Sequence, residues 1–256
     1  MLQHGLPALY AVLLWWVSTG LILHLVGLRR ATFGWSMAAA TALLALALLG
    51  LHATRDGTGV ASAYLGFTFA LLTWGWIEIA FLTGRITGPR QTALPEGERG
   101  WPRLRAALGA ILWHELAILV LGAAVLAISW HADNLVGAWT FLVLWVMRTS
   151  AKLNLFLGVR NLGEAFLPDH LRYLRSYFRC RPMNPLLPVS VVLSSAACLM
   201  VFAAAAAAEP FGAAGLTLIG TLLALAVLEH LFMVLPIPPE ALWRWGLRSR
   251  ATQPLS

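Results

Sequence analysis

The chain has 256 residues, 59% hydrophobic and 11% charged, with a formal net charge of +7 and a mean hydropathy of +0.76. A soluble domain carries about a quarter charged residues, and one core cannot hide this much apolar surface, so composition excludes a soluble globular protein and makes lipid part of the solvent. The surplus of arginine then reports membrane topology before anything else, and no nucleic-acid partner is expected.

A spanning helix needs about 20 mostly apolar residues. Seven segments qualify, at 6–28, 33–53, 60–83, 106–130, 135–157, 186–208 and 213–235. They predict an all-α, polytopic membrane helix bundle forming a single integral membrane domain over 1–256. Unbroken apolar runs exclude the alternating strands of an outer-membrane barrel. The first run is too long for the apolar core of a cleaved leader, and arginines follow it rather than precede it, so it reads as a retained span.

The loops fix an expected orientation. Arg29 and Arg30 lie between spans one and two, and Arg85, Arg90, Arg99, Arg103 and Arg105 between three and four. Arg160, Arg172, Arg175, Arg179 and Arg181 lie between five and six, and Arg244, Arg248 and Arg250 follow the last span. The other side has Arg55. The positive-inside rule places the N-terminus outside and the C-terminus in the cytoplasm. The 3–4 loop, rich in Pro and Gly, predicts irregular structure. In "FLPDHLRYLRSYFRCR", Leu167, Leu171, Leu174 and Phe178 recur at helical spacing, Pro168 suits a helix start, and arginines fill the opposite side. This predicts an interfacial amphipathic helix near 167–180, with Arg172, Arg175, Arg179 and Arg181 as a lipid-facing or partner-facing surface. Cys180 and Cys198 match no disulfide or zinc spacing and read as free thiols.

Ionisable residues recur inside the spans. Glu78, His114, Glu115, Arg148, Lys152, Glu229 and His230 fall within roughly 6–14 Å of the inner boundary at 1.5 Å per residue, and Asn154 lies near the same level. An unpaired charge at that depth costs a few kcal/mol or more, so one buried polar network is the economical reading. Arg148 and Lys152 are four apart and share a helix face that should meet acids from other helices. Such a network can fix helix register, hold a transition metal or chlorophyll magnesium, or carry protons or a solute. The candidate ligands are His114, Glu115, Glu229 and His230. Adjacent helical residues diverge by about 100°, which argues against a carboxylate-bridged di-metal site of the Glu-x-x-His kind. The last span has no lysine for a retinal Schiff base. His24 reads as interfacial, and His4, His52 and His131 as solvated at the outer edge. Trp15, Trp16, Trp35, Trp130, Trp243 and Trp245 read as an aromatic belt.

Six long strings occur together: "WWVSTGLILHLVGL" (15–28), "GWIEIAFLTGRITGPR" (75–90), "WHELAIL" (113–119), "WTFLVLWVMRTSAKLNLFLGVRNL" (139–162), "FLPDHLRYLRSYFRCRPMNPLLPVS" (166–190) and "LEHLFMVLPIP" (228–238). On these the chain resembles the PuhE family of photosynthetic complex assembly proteins of purple phototrophic bacteria, over nearly its whole length. The resemblance implies a multi-pass protein of the bacterial inner membrane, cytoplasmic or intracytoplasmic. Its implied partners are membrane lipids, reaction-centre or light-harvesting subunits and other assembly factors. It also implies a link to bacteriochlorophyll supply, and it brings no catalytic residues. Two further readings of the acid–histidine content stand beside it. One is an intramembrane metal-dependent enzyme acting on a tetrapyrrole or quinone, and the other is a small pigment-precursor transporter.

Overall fold

Seven helices long and apolar enough to cross a membrane follow one another in the computed structural model, which describes residues 2–251. They are α1 (Leu2–Val26), α2 (Phe33–Thr54), α3 (Val60–Leu82), α4 (Gly100–Ile128), α5 (Val136–Leu157), α6 (Leu186–Ala206) and α7 (Pro210–Phe232), with a short α8 (Arg244–Ala251) behind them. Among the described residues there is no β-strand, only an isolated bridge between Val159 and Cys180. Local chemistry sets several boundaries. Pro210 opens α7, where its missing N–H is not needed. Gly158 closes α5 at φ +124, a conformation that other residues rarely adopt.

The centre of the bundle is α3 against α7. In each, 56% of the most apolar window is buried, against 11% for α6. Small residues permit the close crossings. A Cβ on Gly137 of α5 would sit 3.1 Å from the Gly66 carbonyl oxygen of α3, and one on Gly215 of α7 would sit 2.6 Å from Val136. Ala11, Ala63, Phe67, Ala214, Leu218 and Leu222 fill the layer between them. The outer face of α6 exposes Val192, Leu193, Leu199 and Met200, a surface suited to lipid.

The arginine-rich end is built differently from a set of free loops. Residues 83–99 are irregular, but their first part is packed into α4. The Trp113 and His114 N–H groups donate to the Thr87 carbonyl at 3.0 and 3.2 Å, while the Gly109 carbonyl accepts from Arg90 N–H at 3.1 Å. The loop is thus joined backbone to backbone along α4, which remains one helix from Gly100 to Ile128. Gly88 makes this possible, because a Cβ would lie 2.2 Å from the Gly109 carbonyl oxygen.

The amphipathic segment after α5 is a 3-10 helix over Asp169–Tyr177, not an α-helix. Its buried residues are Leu171, Leu174 and Tyr177. That period of three matches the three residues per turn of a 3-10 helix. Phe178, expected on the apolar face, instead follows it in extended backbone. The apolar face packs on Val26, Phe81, Leu82, Ala106 and Ala110 of the protein. Arg172 pairs with Asp169 at 2.9 Å, and Arg175 pairs with Glu164. Arg103 is not a surface topology marker. It is 3% exposed, donates to the Phe156 and Tyr177 carbonyls at 2.8 and 2.6 Å, and lies 3.8 Å over the Phe156 ring.

The segment after α7 also packs back. Trp243 Nε1 donates to the Trp16 carbonyl at 3.0 Å, and Ser249 Oγ to the His24 carbonyl at 3.0 Å, so α8 runs beside the second half of α1. Trp15 stacks edge-on against Trp243 at 4.9 Å, and Trp16 against Trp245 at 5.7 Å. These four tryptophans, expected as belt residues, hold the C-terminal segment to the first span.

Candidate functional site: a polar seam inside the membrane zone

Helix α5 carries the seam. Its residues 148 and 152 share a face and meet two different neighbours. Arg148 Nη2 donates to Glu78 Oε2 of α3 at 3.0 Å, and Lys152 Nζ donates to Glu115 Oε1 of α4 at 2.5 Å. The second pair is largely enclosed, with side-chain exposures of 22% and 26%. In the first pair the guanidinium is 40% exposed and the carboxylate 14%. Each pair therefore ties α5 to a different helix, and the arginine is the more open of the two cations.

His114 lies beside this ladder without joining it. It is 1% exposed, its ring centre is 4.5 Å from that of Phe81, and its Nδ1 has no hydrogen-bond partner among the described residues. Its neighbour Glu115 points to Lys152 instead. The roughly 100° between adjacent helical positions accounts for this division.

A second, uncharged cluster occupies another side of α5. Ser150 Oγ lies 3.0 Å from Ser190 Oγ of α6 and 2.9 Å from His230 Nε2 of α7. The His230 Nδ1 donates to the Ala226 carbonyl at 2.8 Å, while Nε2 shares its hydrogen bond with the Ser150 hydroxyl. Asn154 Nδ2 donates to the Ser150 carbonyl at 3.0 Å. Asn184 then closes the cluster. Its amide donates to Asn154 Oδ1 at 3.0 Å and to the Gly158 carbonyl at 2.9 Å, while its Oδ1 accepts from Leu186 and Leu187 N–H at the start of α6. Asn161 does similar work for α7, donating to the Phe232 carbonyl at 2.7 Å. Sequence reasoning did not single out Ser150, Asn161, Asn184 or Ser190. The available signals were Ser150 and Asn154 at i, i+4, and Asn184 directly before the apolar run of α6.

Among the described residues Glu229 makes no direct hydrogen bond to either cluster, although Arg148 and Glu78 lie near enough to act on its carboxylate electrostatically. The Trp15 indole N–H of α1 donates to its Oε1 at 3.2 Å. The His230–Ser150 bond sets its level at Ser150, seven residues before Leu157 ends α5, or roughly 10 Å in from that end at 1.5 Å per residue. Glu229 is nevertheless exposed at the surface of the bundle. Within the seam there are thus three carboxylates, Glu78, Glu115 and Glu229, and two permanent cations, Arg148 and Lys152, and among the described residues the hydrogen-bond donor to Glu229 is the neutral Trp15 indole.

The residues considered as metal ligands do not assemble. Among the described residues no three of His, Cys, Asp and Glu come together as a metal-binding group. His114 faces Phe81, both His230 nitrogens are engaged, Glu115 is paired with Lys152, and Glu229 meets Trp15. Trp74 and Trp76, near the same level, also stay outside the seam. Trp74 packs on Phe141 with ring centres 5.5 Å apart, and Trp76 Nε1 donates to Thr41 Oγ1 at 3.0 Å. Both cysteines are free, Cys180 exposed and Cys198 buried. A cavity of about 510 Å³ lies at the opposite end between α4 and α5, with Trp130, His131, Trp139, Phe141 and Trp145 in its wall, away from the seam.

A Rhodobacter capsulatus protein described as "Uncharacterized 30.4 kDa protein in puhA 5'region" is 38% identical over 251 residues, covering 95% of this chain and 91% of that protein. No solved structure matches the chain. The family described as "Protein of unknown function (DUF3623)" matches residues 1–254. The chain therefore belongs to the DUF3623 family.

Proposed function

We propose that the protein is a membrane assembly factor for photosynthetic reaction-centre and light-harvesting complexes, of the PuhE kind. The polar seam would receive a membrane-spanning segment of a client at the inner leaflet, at the edge where Glu229 emerges. The observation that carries this reading is the imbalance of the seam. Two acids are matched by Arg148 and Lys152, and the third, Glu229, is open at the surface inside the membrane zone with an indole as its donor. An exposed carboxylate at that depth is costly in lipid, and a client helix bringing a donor or a cation removes the cost. The relative named for its position beside puhA supports a photosynthetic setting.

The test is complementation of a purple phototrophic host whose own homologue is deleted. Glu229→Gln should reach the membrane in normal amount yet restore less reaction-centre and light-harvesting absorbance than the unaltered chain. Full restoration by Glu229→Gln and by Glu229→Ala would remove Glu229 from the function.

A further inference from the structure

A polar cavity of about 360 Å³ opens at the arginine-rich end, away from the seam. Three parts of the chain meet around it. Arg30 comes from the α1–α2 turn, Thr83, Thr87 and Gln91 from the segment that follows α3, and His170 and Tyr173 from the 3-10 helix. Among the described residues none that lines it is acidic. Asp169, next to His170 in sequence, pairs with Arg172 at 2.9 Å, and Glu164 pairs with Arg175.

The lining is rich in donors. Gln91 Nε2 donates one hydrogen to Thr87 Oγ1 at 3.3 Å and keeps a second. The Thr87 carbonyl is already committed to the Trp113 and His114 N–H groups of α4, which fixes this wall. The Tyr173 hydroxyl is buried beside Thr87, whose Oγ1 already accepts from Gln91. Burial raises the Tyr173 phenol above its ordinary pKa, so it remains a donor through the neutral range. Gly84 sits at φ +82, and a Cβ there would come within 3.3 Å of the His170 ring, so the position favours glycine on two counts.

A buried donor that lacks a full acceptor costs about 1–3 kcal/mol, and Tyr173 and Gln91 line the same hollow as the Arg30 cation. Donors converge from three chain segments, which suits a tetrahedral group with several acceptor oxygens better than a planar carboxylate. We propose that this cavity binds a phosphate group, with the Arg30 guanidinium and the Tyr173 hydroxyl as its principal donors. The position fits a phospholipid headgroup. Trp35, 81% exposed in the first turn of α2, marks the interfacial level beside Arg30. A soluble phosphate would present the same oxygens.

The test uses the purified full chain in a neutral detergent, with native mass spectrometry as the readout. The probes are phosphatidylglycerol, the corresponding diacylglycerol without phosphate, and inorganic phosphate. Phosphatidylglycerol should bind about tenfold tighter than diacylglycerol, and Arg30→Gln and Tyr173→Phe should each lose about tenfold, the scale of one charge-assisted or buried hydrogen bond. Arg29→Gln, next in sequence but outside the cavity, should stay within about twofold, since it alters only exposed surface charge. Lipid binding that survives millimolar inorganic phosphate assigns the site to a headgroup. Saturable binding of inorganic phosphate that displaces the lipid assigns it to a soluble phosphate. Equal affinity for both lipids with no binding of inorganic phosphate, or an equal loss in Arg29→Gln and Arg30→Gln, would overturn the proposal.

Discussion

Trp15 and Glu229 meet across 3.2 Å, indole N–H to carboxylate, and join the first and last spans within the membrane zone. The neutral donor orients the acid, and the nearby cation, Arg148, is already bonded to Glu78. Glu229→Gln keeps an acceptor oxygen for the indole, so its thermal stability in detergent should stay within about 1 kcal/mol of the parent, the range of one neutral hydrogen bond. Trp15→Phe removes the donor and also the edge contact to Trp243. It should lower stability by about 1–2 kcal/mol, read from the same melting curves.

The Lys152–Glu115 pair should behave in the opposite way. Removing one partner leaves the other charged and mostly enclosed, and such losses run to about 3–5 kcal/mol for buried pairs. At these exposures of 22% and 26%, the lower part of that range is expected for Glu115→Ala, about 3 kcal/mol. The double replacement Glu115→Leu with Lys152→Met removes both charges and should recover to within about 1 kcal/mol of the parent. Thermal unfolding of the two single variants and the double variant checks this. A double variant as unstable as the sum of the singles would show that the pair is not coupled.

Asn184 serves α5 and α6 together. Asn184→Ala abandons the Asn154 and Gly158 acceptors and leaves two N–H groups of α6 without their cap. A loss of about 2–4 kcal/mol is expected from several buried groups left unpaired. Asn184→Asp keeps the acceptor for α6 but sets a buried carboxylate oxygen against the Asn154 and Gly158 acceptors, so its melting temperature should fall at least as far as that of Asn184→Ala.

The C-terminal helix depends on a close backbone approach. A Cβ on Gly246 would lie 2.4 Å from the Gly20 carbonyl oxygen of α1. Gly246→Ala should loosen α8 and speed tryptic cleavage at the exposed Arg244 and Arg248, by about tenfold for each 1.4 kcal/mol lost from the local closed state. Unchanged cleavage would mean that the tryptophan contacts and the Ser249–His24 hydrogen bond hold α8 without this close approach.

The spans were legible because each is a long apolar run, and length and composition are properties that no neighbour alters. The relation of Arg148 to Lys152 was legible for a similar reason, since four residues make nearly one helical turn. What could not be read was rotation and axial offset. Glu229 and Glu115 were placed at one depth with the rest, yet one emerges at the surface and the other pairs with Lys152. The joining of Thr87 and Arg90 to α4 is carried by backbone atoms, which leave no side-chain period behind. Leu171 and Leu174 are compatible with an α-helix and with a 3-10 helix, and the burial of Tyr177 rather than Phe178 separates the two. Trp15, Trp16, Trp243 and Trp245 fitted a membrane belt by position in the chain, whereas the structure pairs them with one another.

The most direct test of client docking at the seam is photocrosslinking in native membranes from position 228, beside Glu229 and 38% exposed, with position 192 on the outer face of α6 as the control. The adducts would be identified by mass spectrometry. Docking predicts a reaction-centre or light-harvesting subunit attached at position 228 and absent at position 192, with the adduct reduced in Glu229→Gln. Lipid adducts alone at both positions, in cells actively building these complexes, would contradict it.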